Sequence, residues 1–165
     1  NFTNSVLSNH FLEGINGNVD GFGNLDSSAL VTLSGTTVDT NGSFGAVFNV
    51  TNRGDLTLLT SNGSSISNNA AAGVFVNVDG ADSTYTFDFS DTTIDGNGLL
   101  LGGDGMTVLA NNTAAVVGAS NNLSISGNAN AGLTLLLDNA STADLGVATA
   151  GLVDSRINNN GNEGA

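Results

Sequence analysis

The chain contains 165 residues with a formal net charge of −13, and it has 23 glycines, no proline and no cysteine. Fifteen acidic residues are opposed by only two arginines, so the chain lacks a cationic surface that could bind nucleic-acid phosphates or anionic lipids. The missing cysteines exclude disulfide scaffolds and thiolate metal sites. The sequence has no apolar run of about 18 residues, so it predicts no insertion into a membrane. The high glycine content and the low share of charged residues favour short strands and tight turns over helices.

A short pattern recurs six times along the chain, an aliphatic residue followed three positions later by asparagine. The spacing of about 30 residues between recurrences indicates a solenoid in which each repeat forms one coil. The six pairs, in chain order, are Val6/Asn9, Val38/Asn41, Ile66/Asn69, Ile94/Asn97, Ile125/Asn128 and Ile157/Asn160.

Within each coil the hydrophobic pattern predicts three short strands. The first coil is the least regular, and the fourth contains an insertion at residues 99–102. The clearest alternation of apolar and polar side chains lies in the third coil, at residues 74–78 and 84–89. Equivalent strands are predicted, in chain order, at residues 29–33, 45–48, 55–58, 105–108, 114–117, 132–135 and 143–147. The inward-facing side chains predicted for the third coil are Val74, Val76, Val78, Tyr85, Phe87 and Phe89.

Stacking such coils pairs each strand in parallel with its copy in the next coil, which predicts an all-β, right-handed parallel β-helix. The whole chain, residues 1–165, is predicted to form one domain of five to six coils of 28 to 32 residues, with three short strands per coil. The predicted coil boundaries are roughly residues 4–35, 36–63, 64–91, 92–122 and 123–154, with a partial coil at residues 155–165.

The recurring asparagines are predicted to form a structural ladder of Asn9, Asn41, Asn69, Asn97, Asn128 and Asn160. An asparagine tolerates the left-handed backbone of a turn, and its amide can hydrogen-bond to the same amide in the coils above and below. A glycine seven residues after the aliphatic residue, as at Gly45, Gly73, Gly132 and Gly164, is predicted to allow a second bend without a Cβ clash.

Residues 65–69 followed by residues 73–76 resemble the repeats of the right-handed parallel β-helix superfamily. That superfamily includes pectate lyases, polygalacturonases, and bacterial autotransporter and haemagglutinin-type adhesins. The composition, rich in Asn, Gly, Ser and Thr, is most similar to the adhesin and autotransporter repeats. The resemblance implies an extracellular or cell-surface location, and it specifies the fold more closely than the function.

The catalytic motifs of the enzymes in that superfamily are missing from this chain. Polygalacturonase-like hydrolases carry an adjacent Asp pair, a Gly-His-Gly and an Arg-Ile-Lys, whereas this chain has no Asp-Asp, places His10 between Asn9 and Phe11, and matches the last motif only in part at residues 156–158. Catalysis of the pectate-lyase kind would need calcium held by carboxylates. Five aspartates of the chain are candidates, but their spacing is irregular and they can equally be solvated turn residues. These weak metal candidates are Asp79, Asp82, Asp88, Asp91 and Asp95. We therefore predict neither catalytic residues nor a resident cofactor.

Two surface features remain as candidate interaction sites. Outward positions of the strand after the coil glycine carry apolar side chains at Val47, Phe75, Leu109 and Leu136, which predict a contact stripe unless the insertion at residues 99–101 folds over it. Open solenoid ends expose backbone groups and apolar residues, so residues 155–164 of one copy are predicted to meet residues 4–14 of the next. The predicted end-to-end contacts are Val6, Leu7, Phe11, Arg156 and Ile157.

The sequence thus favours a non-enzymatic extracellular structural or adhesive protein that assembles end to end into a homopolymeric surface filament. Surface carbohydrate is a further predicted partner. The alternatives are a slice of a longer surface protein, a polysaccharide lyase or hydrolase of the β-helix type, and a carbohydrate-binding or ice-binding module. Ice binding would need aligned Thr-X-Thr rows, and only residues 84–86 have that form.

Overall fold

The alternating pattern folds as predicted into stacked coils, and the computed structural model of the chain is a parallel β-solenoid of about five turns. The structure describes residues 1–145 and 152–161, so the predictions that concern residues 146–147 and Gly164 lie outside the described residues. Within the described part of the chain, no helix is long and apolar enough to cross a membrane.

The strands of the described residues fall into two parallel sheets. One sheet has five strands in the order β13-β11-β9-β6-β3, and the other has eleven and covers the remaining two faces of the solenoid. The strands are β1 (Phe2–Thr3), β2 (Val6–Ser8), β3 (Ile15–Asp20), β4 (Ser27–Ser34), β5 (Thr37–Asp39), β6 (Ala46–Thr51), β7 (Gly54–Ser61), β8 (Ser64–Ser67), β9 (Val74–Asp79), β10 (Thr84–Asp95), β11 (Met106–Asn111), β12 (Ala115–Ser126), β13 (Leu133–Leu137), β14 (Thr142–Asp144), β15 (Leu152–Val153) and β16 (Arg156–Asn158).

The structure differs from the prediction of separate strands at two places, because the last strand of the third coil continues into the first strand of the fourth as β10, and the last strand of the fourth continues into the first strand of the fifth as β12. The first half of β10 pairs with β7 and its second half pairs with β8. Between Phe89 and Thr92 the chain has one residue fewer than between the partner residues Thr60 and Ser64. The connection in β12 has the same shorter length, and β10 and β12 pair on both sides of this corner, with Asp91 the one position without a register partner.

The core is filled by the side chains that alternation placed inside. Val74, Val76 and Val78 of β9 are fully buried, as are Tyr85 and Phe89 of β10. The six inward positions predicted for the third coil are therefore confirmed, Phe87 among them at 3% exposure.

The inward-facing side chains of neighbouring coils must also be complementary in size, because they share the same space in the core. The ring of Phe87 occupies space where Gly118 of the next coil would carry a Cβ atom, and Phe48 does the same at Gly17, 2.7 Å from the ideal Cβ position. A large side chain in one coil is thus accommodated by a glycine in its neighbour, which keeps the interior densely packed.

The hydroxyl of Tyr85 is fully buried and has no hydrogen-bond partner among the described residues. Burial disfavours the phenolate and raises the pKa of Tyr85 far above its usual range. The unfolded chain would ionise this group near pH 10, whereas the folded chain keeps it protonated. The free energy of unfolding is therefore expected to be unaffected below about pH 10 and to fall by about 1.4 kcal/mol per pH unit above it, as measured by denaturant titrations up to about pH 12.

The composition makes this alkaline transition easy to assign. The chain has one tyrosine, no cysteine and no lysine, so few other side chains titrate between about pH 9 and pH 12. The variant Tyr85→Phe keeps the ring and removes the unsatisfied hydroxyl, so it is expected to be more stable at neutral pH by about 1 kcal/mol and to lose the alkaline slope. A slope that persists in Tyr85→Phe would refute the assignment.

Candidate interaction surfaces

Five of the six asparagines predicted to form a ladder are joined by hydrogen bonds between successive coils. Each Nδ2 donates to the Oδ1 of the next ladder residue, at 2.9 Å from Asn41 to Asn69, 2.9 Å from Asn69 to Asn97, 3.0 Å from Asn97 to Asn128 and 2.9 Å from Asn128 to Asn160. The backbone N–H of each donor residue reaches the same Oδ1. Each Nδ2 also donates to the carbonyl of the aliphatic residue one coil earlier. The bonds between the ladder amides are thus directional, because each runs from an Nδ2 to the Oδ1 of the next coil toward the C-terminus, while the second N–H of each Nδ2 points back to the preceding coil.

The left-handed backbone conformation belongs to the residue before each ladder asparagine, which corrects the prediction that the ladder residue itself adopts it. The preceding residues have positive φ angles, and the ladder asparagines do not. These preceding residues are Thr40, Asn68, Gly96, Gly127 and Asn159.

The prediction for the first coil is wrong by one position. Strand β2 pairs with β5 so that Leu7 faces Val38, which leaves Val6 70% exposed. Asn9 has a φ of 58°, lies at the surface and donates to the hydroxyl of Ser8, so it is the turn residue and not a ladder member. His10 takes the ladder position, because its N–H donates to Asn41 Oδ1 at 3.1 Å. A slip of one residue exchanges the inner and outer faces of a strand, and the pairing with β5 decides which face is buried.

The four apolar side chains predicted to form a stripe lie in two separate rows. Val47 is the register partner of Phe75, whereas Leu109 is the partner of Leu136 and lies two residues further along the strands. The ring of Phe44 extends the first row, with its centroid 5.3 Å from that of Phe75. The outer face of the five-stranded sheet therefore carries two small apolar patches interrupted by Asn and Thr.

The insertion in the fourth coil does not cover either patch. The N–H of Gly98 donates to Asn69 O and the N–H of Leu101 donates to Ala70 O, so the loop runs across the corner of the solenoid. Residues 70–72, three alanines, are buried as a result, while the three leucines of the loop at residues 99–101 face outward.

A second exposed apolar segment lies on the same corner in the first coil. Phe11 is 90% exposed and Leu12 is 57% exposed, and together with Leu101 they line an open groove of about 520 Å³, which we name the corner groove. Its remaining lining comes from Asn9, His10, Thr40, Gly42 and Ser43. Sequence reasoning missed this groove, because it assigned Phe11 to the end-to-end contacts and residues 99–101 to a loop over the stripe.

The aspartates predicted as weak calcium ligands lie apart, each with a hydrogen-bond partner of its own. Asp79 and Asp91 accept hydrogen bonds from asparagine side chains of the next coil, Asn112 at 2.7 Å and Asn122 at 2.9 Å. No group of three or more metal-ligating side chains occurs within residues 1–145 and 152–161. The partners of the other three are Arg53 for Asp82, Ser90 for Asp88 and Ser126 for Asp95.

The contacts of Asp79 and Asp91 are two of four exposed Asp–Asn pairs that join successive coils and that the sequence did not predict. Asp20 accepts from Asn52 at 2.8 Å, and Asp39 accepts from Asn68 at 3.1 Å. Hydrogen bonds from Thr51 and from Asn52 lower the pKa of Asp20. In the sequence, each of these aspartates is followed about one coil later by the asparagine that it binds. Several acidic residues of this chain therefore join one coil to the next through hydrogen bonds.

Arg53 is held between two carboxylates on another corner of the solenoid. Its Nε lies 2.6 Å from Asp26 and its Nη1 lies 3.0 Å from Asp82, and the Asp26 contact raises the pKa of the guanidinium. These three residues come from three successive coils, so this ion-pair column also fastens one coil to the next.

The residues predicted to form end-to-end contacts lie at the two ends of the described solenoid. Val6, Phe11 and Arg156 are exposed, whereas Leu7 and Ile157 are half-buried against the core. Within the described residues, β3 and β13 each pair with a strand on one side only. Both ends therefore present partly exposed apolar side chains and strand edges.

Comparison of the chain with protein-family models, with curated proteins and with solved structures finds no match in any of the three. The parallel β-solenoid follows from the strand pairing of the chain itself. The resemblance to bacterial adhesin repeats stays a prediction.

Proposed function

We propose that this chain is a non-catalytic extracellular structural protein with an adhesive surface, and that copies of it associate end to end into a filament. The observation that carries the proposal is that core side chains of the first and last described coils, such as Leu7 and Ile157, are only half-buried. Burial of apolar surface favours association by about 25 cal/mol per Å². The extracellular location is supported by the adhesin-like composition.

The directional ladder favours a head-to-tail arrangement. Asn160 would offer its N–H and Nδ2 donors to the first coil of the next copy, where His10 holds the ladder position. A head-to-tail contact between identical ends repeats without closing, and this generates a filament.

The register of the chain predicts a specific junction. When β16 of one copy pairs with β2 of the next, the five-stranded sheets of the described residues are out of step, because β13 lies in the coil before β16, whereas β3 lies in the same coil as β2. The strands β13 and β3 would then lie about 9.6 Å apart, which is two strand spacings. Electron cryomicroscopy of a filament is expected to show one notch per subunit on that face.

Two substitutions at opposite ends test the association directly. Leu7→Asp, in the first coil, and Ile157→Asp, in the last described coil, each place a carboxylate in the proposed contact. Each variant alone is therefore expected to remain monomeric in sedimentation velocity. In an equimolar mixture, the unaltered last coil of Leu7→Asp can pair with the unaltered first coil of Ile157→Asp. The two remaining ends of that pair are both altered, so the mixture is expected to form dimers and nothing longer. Leu30→Asp, at a side position that is 59% exposed, is the matched control and is expected to assemble like the wild type.

The wild-type chain is expected to form longer species as its concentration rises. A wild type that stays strictly monomeric at high concentration would refute end-to-end assembly. Circular dichroism of the two aspartate variants separates a lost contact from a lost fold.

A further inference from the structure

The corner groove combines features that the coil repeat does not require. Its apolar walls come from two irregular segments, residues 10–13 of the first coil and the insertion at residues 98–103. Leu100 and Leu101 of the insertion are 83% and 67% exposed, beside Phe11 at 90%. Large side chains held in solvent on two converging turns mark a contact surface rather than a packing requirement.

The charged residues nearest in sequence to the lining of the corner groove are acidic. Glu13 follows Leu12 directly, and Asp39 precedes Thr40 of the groove lining. Asp95 and Asp104 precede and follow the insertion in the sequence, and both accept hydrogen bonds from the fifth coil, from Ser126 and Ala131. The two arginines of the chain lie elsewhere, Arg53 between Asp26 and Asp82 and Arg156 in the last described coil.

We propose that the corner groove docks a cationic amphipathic segment of a partner protein, with an apolar anchor between Phe11, Leu12 and Leu101 and with Lys or Arg side chains against the acidic rim. Complementary charge around a desolvated apolar anchor is the usual arrangement of a specific interface. Phe11 and Leu12 lie within residues 4–14, which the proposed filament contact would cover, so the groove is open in the monomer and at the free first coil of a filament.

A labelled model peptide of leucine and lysine in an amphipathic pattern is the probe, and fluorescence anisotropy is the readout. The variants Phe11→Ser and Leu101→Ser are each expected to weaken its binding about tenfold, as expected for anchor residues at the centre of a contact. Phe22→Ser is the matched control, because Phe22 is 84% exposed on another corner of the solenoid. It is expected to leave the affinity within about twofold of the wild type.

A second peptide separates the charge from the apolar contribution. The charge-reversed peptide of leucine and glutamate is expected to show no binding, and added salt is expected to weaken the lysine peptide. If Phe22→Ser weakened binding as much as Phe11→Ser, the attraction would be diffuse and the groove would not be the site. Equal binding of both peptides, or Phe11-dependent binding to zwitterionic lipid vesicles instead of the peptide, would overturn the proposed partner chemistry.

Discussion

Replacing Asn97 with alanine is expected to lower the free energy of unfolding by about 4 kcal/mol, because the substitution breaks the buried ladder at its centre. Asn97 is completely buried, and its Oδ1 accepts both the N–H and the Nδ2 of Asn69. Its own Nδ2 donates to Ile66 O and to Asn128 Oδ1. Alanine leaves the donors of Asn69 without a partner inside the solenoid, where each unsatisfied group costs about 1–3 kcal/mol.

The matched control is Asn49→Ala, an exposed asparagine on the outer side of β6. Its substitution is expected to change stability by less than about 0.5 kcal/mol, as for other surface positions. Both variants can be measured by urea denaturation monitored by circular dichroism. Equal effects of Asn97→Ala and Asn49→Ala would mean that the ladder contributes nothing beyond an ordinary polar residue.

The fold and most of the ladder could be predicted because a solenoid repeats its physical requirements. A buried amide must recur at the same register in every coil, so Asn41, Asn69, Asn97 and Asn128 stand out at a nearly constant spacing. Alternation then fixes which side chains enter the core, as the third coil shows. Fine details of connection length, such as the continuous strand β10, depend on single residues in turns and were not predicted.

The ladder position of the first coil was predicted wrongly because two residue pairs in its sequence fit the recurring spacing. Val6 and Asn9 have the same spacing as Leu7 and His10, and only the pairing of β2 with β5 selects the second pair. Histidine at the ladder position removed the residue type on which the motif relied. Within the described residues β2 pairs with β5 alone, so stacking constrains this coil from one side only.

The prediction of a single apolar stripe was wrong, and the distance of each residue from its coil glycine shows why. Val47 and Phe75 lie two residues after the coil glycine, whereas Leu109 and Leu136 lie four residues after theirs. Side chains align between coils only at equal distances from that glycine. The corner groove had no such signal, because it joins Phe11 to Leu101 across two intervening coils, and the paths of irregular turns do not follow from a repeat.

Gly73→Ala is expected to destabilise the solenoid by about 3 kcal/mol through overpacking of one glycine column. An added Cβ would lie 2.7 Å from the carbonyl oxygen of Gly105, 2.8 Å from Asn97 Nδ2 and 2.9 Å from Cγ2 of Ile94. The backbone oxygen cannot move freely, since it accepts the N–H of Val74 at 3.0 Å at the start of the pairing between β9 and β11. The φ of Gly73 is not positive, so close approach between coils, and not a left-handed turn, requires this glycine.

A second glycine provides the contrast that isolates this effect. Gly63 has a φ of +73°, but nothing lies within 4 Å of its ideal Cβ position, so Gly63→Ala bears only the backbone strain of about 1–2 kcal/mol. Thermal and urea unfolding of the two variants are expected to rank Gly73→Ala as clearly the less stable. If Gly63→Ala were equally damaging, backbone conformation would govern the corners, and the close contact between Gly73 and the Asn97 amide would not be what sets the spacing of the coils.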